Sequence, residues 1–267
     1  MKSRWIILVL VIVALVGCHG RLREALRRHK APPVAGVKLS PEQVVSQLKV
    51  RQGQLTSFAA KGRVTLVSPE QNATGTAILK GKLPETLRVD LRDPLGRSVL
   101  SFYTDGRQVE ILFPRENKLL TGPATPANLS SFIPAGVKLP QALRLMVGDL
   151  PLSQGKPTRM NQESDRYVLE WQAPDGSLQE RLWVQAGAVQ PVKDEWYGAG
   201  GRLIFSAELG EYGKVAIDRP GQVKLVTTSP RVELLLTYKD FTPNPTLTPT
   251  DLAVPKPLGV VVQHLQP

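Results

Sequence analysis

The sequence predicts a mainly β protein whose strands form an antiparallel meander, closed into a barrel or bent into a curved sheet. Three observations carry this. Apolar and polar residues alternate with period two in about a dozen short runs beyond residue 57. Turn-forming clusters separate the runs, and helical spacing is confined to residues 41–53 and 139–148.

The clearest strand is 87–92, where Leu87, Val89 and Leu91 alternate with Arg88, Asp90 and Arg92. Similar runs occupy 63–67, 74–80, 97–103, 108–113 and 118–121, and, after a break, 167–171, 178–184, 189–196, 202–209, 222–227 and 232–238. Thr104-Asp105-Gly106, Pro174-Asp175-Gly176 and Gly198-Ala199-Gly200-Gly201 supply turns between them. Upstream, Ser40-Pro41-Glu42-Gln43 provides an N-cap Ser, a Pro at the first helical position and a Gln three residues after the cap. Val44, Val45, Leu48 and Leu55 then follow at spacings that put most of them on one face of a helix over 41–53. In the break, 123–157, a Pro near the start and a Gly at the end bracket a short helix with Leu143, Leu145, Met146 and Val147. Together with Leu129, Phe132, Ile133 and Val137 it packs into or over the sheet, either as a plug for an ordinary core or as a lid over a cavity.

Composition narrows the chemistry. The chain has 267 residues, one Cys and three His. One Cys excludes an internal disulfide framework and a Cys-rich zinc module. His19, His29 and His264 lie near the two ends, so more than 200 intervening residues contain no imidazole. Ser-His-Asp catalysis, His-ligated metals and His acid–base work are thereby removed from the body, and no metal, cofactor or catalytic residue is expected.

The N-terminus accounts for the Cys. Lys2 and Arg4 precede an apolar run of twelve residues, Trp5 to Val16, and small Gly17 stands before Cys18. Twelve residues are too few for a membrane-spanning helix, which needs roughly 20, so 1–17 reads as a cleaved export signal rather than an uncleaved anchor. Leu15-Val16-Gly17-Cys18 resembles the lipobox of bacterial lipoproteins, which implies acylation of Cys18. His19 in place of an Asp favours, by the same resemblance, the outer membrane. Removing 1–17, with its two cations Lys2 and Arg4, lowers the formal charge from +11 to +9. Arg21, Arg23, Arg27, Arg28 and Lys30 against Glu24 concentrate +4 next to the Cys. This stretch is either a contact for anionic head groups or a solvated tether. Nucleic acid is the poorer partner, because export removes the chain from it and no aromatic residue interleaves the cations. The expected organisation is a signal at 1–17, a lipidated, basic and proline-containing tether at 18–39, a β domain at 40–240, and a tail at 241–267 with six prolines.

This order of parts resembles the LolA/LolB family of lipoprotein carriers and outer-membrane receptors. The nearest local match is 87–100, where a strand enters Asp93-Pro94-Leu95-Gly96 and a second strand follows; LolB proteins carry a similar strand, an Asn-Pro-Leu-Gly turn and another strand. Residues 139–151, ending Val147-Gly148-Asp149-Leu150-Pro151, also resemble the LolB helix and its Leu-Gly-Leu-Pro-like end. The resemblance spans about residues 40 to 240. Asp93 for Asn, the basic tether and the proline-rich tail depart from it.

The resemblance implies a half-barrel around an apolar cavity, with the first helix and the insertion (Phe132, Ile133, Leu143, Met146) as lid. It further implies a monomeric receptor that takes acylated lipoproteins from a periplasmic LolA-like carrier. Pro94, Leu95 and Gly96 would form a protruding loop that touches the bilayer. Acyl chains need such an escort, since each CH₂ exposed to water costs roughly 0.8 kcal/mol. Candidate cavity residues are Val64, Leu66, Leu87, Val89, Leu91, Val109, Ile111, Leu169, Trp171, Leu203 and Phe205. Alternation alone does not separate a filled interior from an open one. A carrier of another lipid or glycolipid, and an envelope interaction lipoprotein with a filled interior, remain open alternatives. The glycines at 198–201 read as a hairpin rather than a dinucleotide loop. Asp194-Glu195, and Asp90 with Asp93, read as solvated surface charge.

Overall fold

The computed structural model describes residues 38–266 except 71, 131–132, 134–136 and 151. Cys18, the signal at 1–17, nearly all of the 18–39 tether, and Phe132 of the expected lid lie outside the described residues.

Among the described residues, fourteen strands form one open, curved sheet in the spatial order β14-β6-β5-β4-β3-β2-β1-β13-β12-β11-β10-β9-β8-β7. In chain order they are β1 (Ser57–Val67), β2 (Asn72–Lys82), β3 (Thr86–Arg92), β4 (Ser98–Thr104), β5 (Gln108–Phe113), β6 (Lys118–Pro123), β7 (Arg159–Glu163), β8 (Arg166–Gln172), β9 (Leu178–Gln185), β10 (Gln190–Tyr197), β11 (Leu203–Gly210), β12 (Gln222–Thr228), β13 (Arg231–Pro243) and β14 (Val261–His264). The expected strands are all present. The sheet is a mainly β half-barrel: two meanders, β1–β6 and β7–β13, are joined by the β1–β13 ladder, in which Val64 faces Leu236 and Leu66 faces Leu234. Two strands escape the sequence pattern. β7, Arg-Met-Asn-Gln-Glu, is an edge strand with one apolar side chain. β14 pairs parallel to β6, so the sheet is not wholly antiparallel.

The concave side is filled from two directions. Helix α1 (Pro41–Gly53) starts with the expected capping box: Ser40 Oγ accepts from Gln43 N at 3.3 Å and Gln43 Oε1 accepts from Ser40 N at 2.8 Å. Its Val44, Val45 and Leu48 are buried. The insertion between β6 and β7 contributes a short helix α2 (Pro126–Leu129), capped by Thr125, and helix α3 (Leu139–Met146). Leu129, Ile133, Leu143, Leu145, Val147 and Leu150 are all buried in the same core.

The insertion is clamped at its end. Gly148 takes φ +73°, and a Cβ there would come within 2.1 Å of Pro220 Cγ, so the chain can reverse against the β11–β12 loop only with glycine. Asp149 is buried; it accepts from Arg144 Nη1 at 3.1 Å and from Arg219 Nη1 at 2.7 Å. Arg144 Nη1 also donates to Gln52 O at 2.8 Å, and Gln52 Nε2 to Leu150 O at 2.6 Å, which ties lid to helix α1.

The proline-rich segment at 241–267 is part of this architecture. β13 continues through Pro243 with Phe241 buried against Phe58 and Tyr238. Beyond Asn244, whose Oδ1 accepts from Thr56 N at 2.9 Å, the chain crosses the convex face of β2–β6. There helix α4 (Pro249–Leu252) and Val254 pack down, Lys80 Nζ meets Asp251 Oδ1 at 2.8 Å, and Lys256 Nζ meets Glu110 Oε1 at 2.7 Å. Val254 joins Leu112 and Leu119, the outward-facing residues of β5 and β6, in a second small core.

Candidate functional site

Burial grades along the concave face. Toward the end where α1 packs, the inward residues Leu87, Val109, Ile111 and Phe102 are buried; on the other meander so are Leu169, Trp171 and Phe205. All of them except Phe102 are candidate cavity residues, and they form solid core with the lid. Val64, Val89 and Leu91 are half-buried against that core, while Leu66 and Leu203 are half-exposed and lie outside it. Cross-strand register adds residues that the sequence reading passed over. Leu91 faces Leu100, Leu66 faces Leu234, and Leu234 faces Leu225; Leu91, Leu100 and Leu225 are half-buried against the core, while Leu66 and Leu234 lie beyond it. The result is a strip of aliphatic side chains on the concave face, uncovered toward the end where β1, β3 and β5 finish.

Of the lid candidates, Ile133 and Leu143 are buried, and Met146 is half-buried on the same core, its carbonyl accepting from Tyr238 Oη. The burial of Leu143 and Met146 follows from helix spacing, whereas Ile133 lies between the two helices; Leu145, Val147 and Leu150 are buried with them.

That same end of the sheet carries the β3–β4 turn. Pro94, Leu95 and Gly96 are exposed, and Leu95 retains 77% of its accessible surface. Asp93 builds the turn: its Oδ1 accepts from Leu95 N and Arg97 N, both at 3.0 Å, while Gly96, at φ +81°, donates to Asp93 O at 2.9 Å. Its Oδ2 pairs with Arg97 Nε at 2.8 Å and with Arg115 Nη2 at 2.5 Å. Desolvation pushes the Asp93 pKa upward, but the Arg97 amide and guanidinium and the Arg115 guanidinium outweigh it and hold the pKa at about 2. An Asn at this position could accept the two amide bonds but could not balance two arginines.

Beneath the exit of the lid lies a feature that the sequence reading placed elsewhere. Asp194, expected on the solvated surface, is fully buried, and so is Glu180 on the adjacent strand β9. Its neighbour on the strand, Glu195, faces the other side, as expected of surface charge, and pairs with Lys193 at 2.7 Å. Trp196 Nε1 donates to Asp194 Oδ2 at 2.7 Å, and Ser153 N donates to Glu180 Oε2 at 2.8 Å. Asp194 Oδ1, Glu180 Oε1 and Trp171 Nε1 are buried without partners. Burial raises Glu180 to about 7, opposed by the Ser153 bond. Burial and the charge of Glu180 raise Asp194 well above the ordinary carboxylate range. Strand parity in the sequence does place Asp194 and Glu180 on inward positions, but only the register shows that both are enclosed.

No family model and no curated protein matches the chain. Solved structures do. A LolA superfamily protein from Nitrosomonas europaea superimposes with a TM-score of 0.53 at 17% identity, covering 81% of this chain and 99% of its own. A putative outer membrane lipoprotein-sorting protein domain from Vibrio parahaemolyticus gives 0.54 at 13% identity, with 78% and 94% covered. A DUF1329 family protein from Desulfovibrio piger gives 0.56 at 11%, with 80% and 98% covered. At these identities the likeness is one of fold: an open, curved half-barrel sheet with a helical lid.

Proposed function

We propose that the chain is an outer-membrane lipoprotein receptor of the LolB kind, anchored through acylated Cys18, which accepts lipoproteins from a periplasmic LolA-like carrier. The carrying observation is the aliphatic strip Val64, Leu66, Leu91, Leu100, Leu225 and Leu234, partly buried on the concave face, with Leu66 and Leu234 beyond the core at the end of the sheet where Leu95 protrudes. Such a strip suits acyl chains: removing each CH₂ from water contributes roughly 0.8 kcal/mol, and no bond is made or broken in the transfer. The lipoprotein-sorting description of the Vibrio structure supports this reading by analogy of fold. In the proposed sequence of events an acyl chain lies along the strip, Leu95 enters the bilayer, and the chain slides from one apolar surface to the other.

The solid packing beneath the lid favours a second reading, an envelope interaction lipoprotein without a ligand. A fluorescent acyl probe separates the two. Binding to the intact chain, weakened by Leu66→Trp or Leu91→Trp at unchanged melting temperature, and acyl lipid retained in native mass spectrometry, support the receptor. A well-folded chain that binds no probe and carries no lipid supports the interaction protein instead.

A further inference from the structure

The strap that crosses the convex face makes its turn at the same rim as Leu95. Its residues Pro257-Leu258-Gly259 repeat the tripeptide Pro94-Leu95-Gly96. In both copies the Leu is a central residue of a hydrogen-bonded turn, closed by Val260 N to Pro257 O at 3.3 Å in one and Gly96 N to Asp93 O at 2.9 Å in the other. Both glycines take positive φ, +75° at Gly259 and +81° at Gly96. Leu258 is fully exposed, at 103% of its reference surface.

The two turns are held in register by the turn between β5 and β6. Arg115 in that turn pairs with Asp93. Asn117 Nδ2 donates to Gly259 O at 2.9 Å, and Asn117 O accepts from Val261 N at 2.9 Å as β14 begins beside β6. Counting strands from the β3–β4 turn to β14 separates the leucines by on the order of 15 Å. Around them Arg92, Arg97, Arg115 and Lys118 outnumber Asp93 and Glu116, while Lys256 is paired with Glu110. A solvent-facing turn gains nothing from an apolar tip, and this rim has two, each fixed by Pro and Gly and set among cations.

We infer that Leu258 is a second bilayer-contacting tip, and that Leu95 and Leu258 together seat the rim on a membrane containing anionic phospholipid, with the cations meeting the phosphates. The inference rests on the reading of Leu95 as a membrane contact. Two apolar points and a charged band fix the tilt of the half-barrel, so that the mouth of the concave strip faces the lipid; one point would leave the domain free to pivot.

The test uses the full chain on vesicles of phosphatidylethanolamine and phosphatidylglycerol, with an environment-sensitive dye on Leu258→Cys, on Leu95→Cys, or on Ala188→Cys in the β9–β10 turn at the opposite end of the sheet. The unsubstituted chain, whose Cys18 thiol is blocked when acylated, gives the background. Nitroxide groups placed in the acyl region should quench the dye at 258 and 95 and leave it bright at 188. Leu258→Glu should lower the quenched fraction at 95 by roughly tenfold, the scale of losing one buried Leu, at unchanged melting temperature. Replacing phosphatidylglycerol by phosphatidylcholine should reduce quenching at both tips. Quenching at 95 with none at 258 overturns the inference and leaves the receptor reading standing. Loss of acyl-probe binding in the same samples, with both tips quenched, sinks the receptor reading and leaves the two-tip rim. Equal quenching at 188 shows non-specific adsorption and overturns the inference.

Discussion

Asp149 and Arg219, 70 residues apart, are joined inside the protein by a 2.7 Å ion pair. One comes from the end of the lid and the other from the β11–β12 loop. With Arg144 on the second carboxylate oxygen, this pair closes the insertion over the sheet. Asp149→Ala leaves Arg219 buried and unpaired, and removing one member of such a pair costs about 3–5 kcal/mol. Thermal unfolding should therefore shift down by roughly 10 °C. Asp149→Leu combined with Arg219→Met should recover most of the loss. Equal melting temperatures for wild type and Asp149→Ala would show that the clamp is not structural.

The Glu180–Asp194 pair sets a dependence on pH. The Glu180 pKa rises from 4.5 to about 7 in the folded state, so the native chain keeps a proton that the unfolded chain releases. The resulting stabilisation is full below 4.5 and is lost as pH rises toward 7; Asp194 shifts in the same direction. The shift corresponds to a loss on the order of 3 kcal/mol between acidic and mildly alkaline solution. Glu180→Gln cannot ionise. Denaturant unfolding should show it more stable than wild type near pH 8, with the gap closing near pH 5. Parallel pH profiles for the two chains would refute the assignment.

Leu95→Glu places a charge on an exposed turn whose geometry depends on Asp93, Pro94 and Gly96. Stability should change by less than about 0.5 kcal/mol. Binding of the acyl probe should persist, while transfer of a bound lipoprotein into vesicles is lost. A large drop in melting temperature would place Leu95 in the core; undiminished transfer would remove the loop from the mechanism.

Cys18→Ala tests the anchor. The product should incorporate no labelled fatty acid and should remain as uncleaved precursor or be found soluble. Labelled fatty acid in the substituted chain would show that another residue carries the lipid.

The sequence by itself determined the elements made of local pattern. Ser40, Pro41 and Gln43 specify the start of helix α1, because a capping box needs only residues three apart. Alternation specifies the strands, because a pleat turns successive side chains to opposite faces. Composition removes histidine chemistry from the body. The tertiary structure decided what depends on partners far along the chain. Asp194 reads as surface charge until Trp196 and Glu180 enclose it from neighbouring positions in the sheet. Residues 241–267 read as a proline-rich tail beyond the β domain, because proline breaks pattern, whereas Lys80, Arg88, Glu110 and the β6 edge hold the described part of it to the sheet. Leu95 and Leu258 share a tripeptide in the sequence, but only the parallel pairing of β14 with β6 brings the second turn to the rim of the first. Periodicity is written by near neighbours, while burial and proximity are set by strand register, which no single stretch of the chain contains.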